Sequence, residues 1–184
     1  MSLETRVQKA FQRLEDYSPE GLKHTLLRLN ISIEELQSYL KTPEGKPYYR
    51  QMIYADDKVE MIVMNWAEIE CSPHDHGQSS GWIQVMNGTT KQTVYQAQGE
   101  SIPLPLFTEY KENGSLFFAP KHGIHKMGRE GDPPLVTLHL YSPPIRGMRV
   151  FDLKACAACV VSSDCGAWWP EEQRQRLKDI QLKK

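Results

Sequence analysis

Three histidines have the spacing that suits a metal ion. His74 and His76 are separated by one residue, and residues i and i+2 of an extended segment point to the same side. His125 follows about 50 residues later, where an antiparallel barrel can turn a side chain toward the first pair across its interior. Asp75 alternates with its neighbours, so it should point away from such a centre and act as a structural or supporting residue. We therefore predict that His74, His76 and His125 bind one metal ion.

The donor set leaves the choice of metal open, because imidazole suits iron, zinc, copper and nickel alike. Three neutral imidazoles without a carboxylate leave the charge of a divalent ion uncompensated, and they leave coordination positions free. An anionic substrate atom such as a thiolate can fill such a position, and the ion would lower the pKa of that thiol. The three histidines are thus compatible with a small thiol as the substrate.

The composition argues against several other classes of protein. The 184-residue chain carries 22 basic and 23 acidic residues, for a formal net charge of −1. That balance gives no general attraction to nucleic acid or to a membrane surface. The first residues contain no apolar stretch typical of a signal peptide, and the longest apolar runs are far too short to span a bilayer. We expect a cytoplasmic protein that folds as one domain over residues 1–184 and, given an independent core and a charge near zero, a monomer.

Four cysteines lie at Cys71, Cys156, Cys159 and Cys165. Without an export signal we expect reduced thiols rather than a disulfide framework. The spacing of the last three could suggest zinc, but a structural zinc site needs a second pair of ligands that this region lacks. Ordinary reduced cysteines are the preferred interpretation.

The ends of the chain have helical patterns. Residues 1–45 contain an expected N-cap at Ser18, with proline at the next position, and a capping box formed by Ser32 and Glu35. After Pro170 the sequence is rich in Glu, Gln, Arg and Lys, and we predict a closing helix over residues 170–182.

Between these ends, residues 48–152 consist of short apolar runs separated by turn signals such as Asn87-Gly88 and Asn113-Gly114. The expected strands are Tyr48–Tyr54, Val59–Ala67, Trp82–Met86, Thr89–Tyr95, Leu106–Tyr110, Ser115–Ala119, Leu135–Tyr141 and Met148–Asp152. Many short strands at this spacing favour a sandwich or barrel over βαβ units. The expected fold is mainly β: a small antiparallel barrel or jelly roll with N-terminal helices and a C-terminal helix.

The histidines also follow the two sequence motifs of cupins. In the first motif, His74 and His76 are followed by Gly81, which stands where cupins usually carry a glutamate ligand, and then by Gly88. The second motif is matched by Gly114, Pro120 and His125. His122 replaces the usual glycine of that second motif, and its terminal asparagine is absent.

Longer segments resemble the cysteine dioxygenase family of thiol dioxygenases, which are cupin enzymes. The matching segments are Tyr48–Arg50, His74–His76, Gly123–His125 and the most specific one, Thr137–Pro144. The resemblance implies one iron(II) ion per chain, held by the three histidines. It also implies a reaction that adds both atoms of dioxygen to the sulfur of L-cysteine and gives cysteine sulfinic acid.

The resemblance assigns substrate contacts to the first predicted strand. Arg50 matches the arginine that holds the substrate carboxylate in cysteine-specific members, and a guanidinium suits a carboxylate bidentately. Members that prefer 3-mercaptopropionate tend to carry glutamine there, so Arg50 favours cysteine. Tyr48 would line the pocket from the same strand. Cysteine would then bind the iron through its thiolate and amine while Arg50 holds the carboxylate.

Thr137, His139 and Tyr141 alternate along one predicted strand and should therefore project from the same face. A hydrogen-bonded row of these three could direct the Tyr141 hydroxyl at the oxygen substrate or at the substrate carboxylate. Trp66 and Trp82 are expected to be core residues without a chemical role.

Gly81 separates this chain from the animal members of the family. Those members carry a cysteine at this position and cross-link it to the tyrosine that matches Tyr141. Glycine has no thiol, so Tyr141 should stay a free phenol, as in the bacterial, arginine-type members. We also expect Gly81 to open space at the metal for a substrate atom.

Several alternatives remain open at this point. The same chemistry could act on 3-mercaptopropionate or cysteamine, although cysteamine has no carboxylate for Arg50. Other cupin oxygenases, such as those that act on acid reductones, usually retain the glutamate that Gly81 replaces. A cupin that senses or stores a small ligand would bind metal without consuming oxygen.

Overall fold

The computed structural model describes residues 1–184 and begins with three helices. They are α1 (Leu3–Gln12), α2 (Pro19–Leu29) and α3 (Ile33–Leu36), followed by a single 3₁₀ turn at Gln37–Tyr39. The Ser18 hydroxyl accepts a hydrogen bond from the Gly21 N–H, which confirms the expected N-cap of α2. The capping box of Ser32 and Glu35 at the start of α3 is also confirmed. No helix is long and apolar enough to cross a membrane.

Eleven strands follow, and their paired neighbours all run antiparallel. They are β1 (Tyr48–Ala55), β2 (Glu60–Trp66), β3 (Ser80–Asn87), β4 (Thr89–Gln98), β5 (Ser101–Glu112), β6 (Leu116–Ala119), β7 (Ile124–Arg129), β8 (Val136–Ser142), β9 (Arg149–Asp152), β10 (Ala157–Val161) and β11 (Arg176–Gln181). The first sheet has the order β1-β2-β8-β3-β6, and two three-stranded sheets have the orders β5-β4-β7 and β11-β10-β9.

The five-stranded sheet is covered on both faces. Alternate residues of β8 pack with the helices on one side, namely Val136, Leu138 and Leu140. The intervening residues, Thr137, His139 and Tyr141, are buried on the opposite side, toward the interior between the sheets. Because a strand has a two-residue period, burial of both faces makes β8 buried over almost its entire length.

A short segment around His74 connects the two three-stranded sheets. The His74 N–H donates to the His125 carbonyl (2.9 Å), and the His125 N–H donates back to the His74 carbonyl (3.0 Å). On the other side, the Phe151 N–H donates to the Pro73 carbonyl and the Asp75 N–H to the Arg149 carbonyl. The segment therefore lies as a short strand between β7 and β9, and its backbone pairing fixes where His74 sits.

The predicted C-terminal helix over residues 170–182 is wrong. This region forms a 3₁₀ turn at Gln173–Gln175 and then strand β11, which pairs with β10 so that Ala158 lies opposite Ile180. The helix-forming composition is overridden because β10 offers an unpaired edge, and the polar side chains of β11 face solvent. The expected set of strands also lacks β7 and β10, and β7 is the strand that carries His125.

Candidate metal centre

The three histidines converge in the interior between the sheets. One ligand atom from each of His74, His76 and His125 lies within 4.8 Å of the others, and all three residues are buried. The short segment between β7 and β9 carries His74, and His76 follows two residues later. Strand β7 carries His125, whose backbone is paired with that of His74. Strand pairing therefore brings His74 and His125 together, and His76 follows on the same segment as His74.

Hydrogen bonds fix which nitrogen of two histidines is free. The His74 Nδ1 lies 2.9 Å from the Ser72 carbonyl, which can only accept, so Nδ1 carries the proton and Nε2 keeps its lone pair. The His125 Nδ1 donates in the same way to the Gln92 side-chain oxygen (2.7 Å). The Gln92 amide is oriented by its own donation from Nε2 to a Glu109 oxygen (2.9 Å). Both histidines thus present Nε2 as a donor atom, supported from behind.

These residues fit a metal ion. The Nε2 atoms of His76 and His125 lie only 3.3 Å apart, which is the close approach that two donors make around one ion. Burial lowers the pKa of all three histidines, and the charges of neighbouring histidines lower those of His76 and His125 further. The site is therefore a set of neutral imidazoles whose nitrogens meet at one point, which is the donor chemistry that divalent transition metals require.

Asp75 points away from this cluster. Its carboxylate accepts hydrogen bonds from the Arg149 side chain (Nε, 2.6 Å), from the Arg149 backbone (3.0 Å) and from the Gly77 N–H (3.2 Å). The carboxylate is buried, and it joins the segment between His74 and His76 to β9. Asp75 thus holds the ligand segment from outside the centre.

A row of hydrogen bonds runs along β8 beside the histidines. The Trp66 Nε1–H donates to the Thr137 hydroxyl oxygen (2.8 Å), which also lies 2.7 Å from the His139 Nε2. The His139 Nδ1 lies 2.8 Å from the Tyr141 hydroxyl oxygen. Trp66, expected only as a core residue, therefore begins the row.

The direction of the protons in this row follows from the available acceptors. Thr137 is fully buried, and the one acceptor its hydroxyl proton reaches is the His139 Nε2. Burial lowers the pKa of His139 to about 3, so the ring is neutral and its single proton lies on Nδ1. That proton is donated to the Tyr141 oxygen, which leaves the Tyr141 O–H free to donate into the cavity. Burial also raises the pKa of Tyr141, so the phenol keeps its proton.

A cavity of about 380 Å³ adjoins the cluster and contains the other expected residues. Its wall includes all three histidines, Tyr141, Arg50 and Tyr48. The Arg50 Nη2 donates to the Ser163 carbonyl (2.6 Å), which orients the guanidinium. The Tyr48 hydroxyl accepts from the Ala167 N–H (2.7 Å), and its ring packs on Trp66. A segment near the C-terminus therefore positions two residues of β1.

Gly81 does not open space at the metal, contrary to our expectation. A Cβ atom at this position would lie 2.1 Å from the Leu140 carbonyl oxygen and 2.5 Å from the Tyr141 Cδ1. The space is therefore already filled by the backbone of β8 and by the tyrosine ring. Glycine is required here because Tyr141 packs directly against the backbone of β3.

Three contributors to the site were not identified from the sequence. Gln92 supports His125, the Ser163 carbonyl orients Arg50, and Glu60 lines the cavity as a buried carboxylate. Strand alternation places the side chain of Gln92 on one face of β4, but nothing local indicates which histidine it meets. The other two depend on contacts between distant segments.

Comparison with known proteins is consistent with this geometry. The family model described as cysteine dioxygenase type I matches residues 32–154. The chain belongs to the cysteine dioxygenase type I family. Cysteine dioxygenase type 1 of Danio rerio is 23% identical over 175 residues, which cover 77% of this chain and 84% of the relative. The Rattus norvegicus enzyme of the same name is 26% identical over 142 residues, or 66% and 70% of the two chains.

Among solved structures, a conserved protein from Klebsiella pneumoniae with a double-stranded β-helix domain superposes with a TM-score of 0.50. The match covers 61% of this chain and 85% of that chain, at 16% sequence identity. At that identity the likeness concerns the fold alone. The expected mainly β cupin fold with N-terminal helices is thereby confirmed for this member of the cysteine dioxygenase type I family.

Proposed function

We propose that the protein is a mononuclear iron(II) cysteine dioxygenase of the arginine type found in bacteria. It would add both atoms of dioxygen to the sulfur of L-cysteine and release cysteine sulfinic acid. The observation that carries this proposal is a centre of three neutral histidines that shares one cavity with Arg50, in a chain of this family. His74, His76 and His125 would hold the iron, one ion per chain.

The bound iron would supply the redox chemistry, and the protein would supply geometry and a pocket that excludes water. Support for a thiol substrate comes from the absence of any carboxylate among the three ligands, since an anionic thiolate then balances the charge of the ion. Support for a carboxylate on that thiol comes from Arg50, whose guanidinium is oriented by Ser163 and faces the cavity.

Tyr141 would contribute a proton at a fixed position. Its O–H remains free to donate because its oxygen already accepts from the His139 Nδ1. In the proposed reaction this O–H donates either to the oxygen substrate, which it directs toward the sulfur, or to the substrate carboxylate. Thr137 and His139 act through Tyr141 and are positioning residues.

The decisive experiment loads the purified protein with iron(II) under nitrogen, adds L-cysteine, and then admits air. Oxygen uptake and the sulfinate are measured together, with metal analysis of the same sample, and 3-mercaptopropionate and cysteamine are assayed in parallel. We expect sulfinate from L-cysteine, with one oxygen molecule consumed per sulfinate formed.

A His125→Ala variant should lose bound iron and turnover, whereas His24→Ala, which changes an exposed histidine in α2, should keep both. An iron-replete sample that forms no sulfinate contradicts the proposed function. Faster oxidation of 3-mercaptopropionate than of L-cysteine would replace the proposed substrate and leave the chemistry in place.

A further inference from the structure

Glu60 is a buried carboxylate in the wall of the proposed substrate cavity. It is the first residue of β2, lies directly opposite Tyr141 of β8, and is only 8% exposed. It is also the one carboxylate among the residues that line the cavity. The proposed function assigns no role in binding or catalysis to Glu60.

Only half of this carboxylate has a partner within the chain. Oε1 accepts a hydrogen bond from the Ile145 N–H (3.0 Å), whereas Oε2 makes no hydrogen bond and no ion pair. Burial raises the pKa of Glu60, and the Ile145 N–H and the charges of Arg50 and Arg146 oppose that rise. Oε2 is therefore available to a cation that enters the cavity, and such a partner would offset the cost of burying this charge.

The position of Glu60 relative to Arg50 suits a small molecule with two opposite charges. Arg50 lies beside Met64 in the pairing of β1 with β2, so Glu60 is four residues, or about 13 Å of strand, further along. Both side chains line the same cavity, and the positive charge of Arg50 acts on the Glu60 carboxylate, lowering its pKa. An amino acid whose carboxylate meets Arg50 can therefore present its ammonium group to Glu60.

We propose that Glu60 recognises the ammonium group of the substrate, so that the cavity selects thiols carrying both an amino group and a carboxylate. This inference rests on the proposed function and names the feature that separates L-cysteine from 3-mercaptopropionate, which has the same thiol and carboxylate but no amine. The amino group keeps N–H donors both as an ammonium and as a neutral amine, so the Glu60 carboxylate can accept a hydrogen bond from it in either form.

Two simpler roles have to be separated from this one. Glu60 could serve only to hold the loop at Ile145, in which case its charge would not matter. It could also act only as the counter-charge of Arg146, the second arginine of the cavity wall. Glu60→Gln keeps an oxygen that accepts from the Ile145 N–H and removes the charge, and Arg146→Gln removes the alternative partner.

The experiment measures binding without turnover. Iron(II)-loaded protein is titrated under nitrogen with L-cysteine and with 3-mercaptopropionate by calorimetry. We expect Glu60→Gln to raise the Kd for L-cysteine about ten- to a hundredfold and to change that for 3-mercaptopropionate by less than about twofold. The matched control Glu44→Gln, an equal charge change on an exposed loop, should leave both constants unchanged, and Arg146→Gln should preserve the preference for L-cysteine.

The outcomes separate this inference from the proposed function. Equal weakening of both ligands in Glu60→Gln, or loss of the preference in Arg146→Gln, overturns the role of Glu60 and leaves a thiol dioxygenase intact. If Glu60→Gln does not fold, the wild-type protein still decides, because equal affinity for the two thiols overturns the inference. A wild-type protein that binds neither thiol overturns the proposed function and this inference with it.

Discussion

The indole N–H of Trp66 donates a hydrogen bond to the hydroxyl oxygen of Thr137 across 2.8 Å. Trp66 lies on β2 and Thr137 on β8, two adjacent strands of the five-stranded sheet. This contact explains the orientation of the whole row, because a Thr137 oxygen that accepts from Trp66 turns its own proton toward His139. A residue of the core thus determines which way a tyrosine proton points at the metal centre.

Replacing Thr137 with valine should remove the hydrogen bonds that the hydroxyl makes with Trp66 and His139, without changing the three histidines of the metal centre. The buried Trp66 N–H and the His139 Nε2 would both lose their partner, and an unsatisfied buried polar group costs about 1–3 kcal/mol. We expect a lower free energy of unfolding and a lower kcat at unchanged iron content, measured by denaturant titration, oxygen uptake and metal analysis. Thr137→Ser keeps the hydroxyl and should retain most of the kcat. A valine variant with normal kcat would show that the proton direction in the row does not matter.

Gln92 should govern metal affinity from behind His125. In Gln92→Ala the His125 Nδ1–H loses its acceptor, and loss of such a supporting contact typically weakens metal binding about ten- to a hundredfold. Competition with a chelator of known affinity measures the change. The control is Gln96→Ala, an exposed glutamine on the same strand. Equal metal affinity in the two variants would contradict the supporting role.

Gly81→Ala should destabilise the protein. The added Cβ would collide with the Leu140 carbonyl and the Tyr141 ring, and overpacking of this kind costs about 1–3 kcal/mol. Because Tyr141 must move, we also expect a reduced kcat at normal iron content. The neighbouring substitution Ser80→Ala provides the control, since the Ser80 hydroxyl makes no hydrogen bond to the chain. Unfolding free energies that are equal in the two variants would mean that the strands adjust freely at this point.

Arg50→Ala should mainly impair substrate capture. A hydrogen bond to a charged group contributes about 1.5–3 kcal/mol, so kcat/KM for L-cysteine should fall by roughly ten- to a hundredfold or slightly more, chiefly through KM. Cysteamine provides an internal control because it has no carboxylate, and its kcat/KM should change little. An equal loss with both thiols would assign Arg50 to the structure of the cavity instead of to the carboxylate.

Acid should destabilise the metal-free protein through its buried histidines. The folded state holds His139 neutral with a pKa of about 3, whereas an unfolded histidine takes up a proton near pH 6.5. The unfolded state therefore binds more protons below that value, and stability that is complete above about pH 6.5 is lost as the pH falls toward 3. Denaturant titrations between pH 4 and 8 test this. His139→Gln should reduce the slope by one proton, about 1.4 kcal/mol per pH unit, and an unchanged slope would contradict the assignment.

The sequence predicts those parts of the molecule whose signals are local. Alternating apolar residues between turn signals locate most strands of residues 48–152, and the caps at Ser18 and Ser32 locate two helix starts. The helix predicted over residues 170–182 is wrong because the composition of this region favours a helix, whereas pairing with the free edge of β10 makes part of it a strand.

The same distinction holds for the site. His74 and His76 can be assigned together because an i, i+2 pair is a local pattern, and His125 is joined to them by motif spacing. Gln92, Glu60 and the Ser163 carbonyl act through contacts that only the folded chain creates. The prediction that Gly81 opens space at the metal is wrong for the same reason. The sequence shows that Gly81 has no side chain, but only the fold shows that Leu140 and Tyr141 of β8 occupy that space.

The short segment that lies between β7 and β9 has a consequence for how the protein acquires its metal. Because the backbones of His74 and His125 hydrogen-bond to each other in both directions, strand pairing fixes the positions of these two residues and does not depend on contacts to an ion. We therefore expect the chain to fold first and to take up its metal afterwards. Imidazole donors accept several divalent metals, so the ions that surround the folded protein would decide which metal occupies the site.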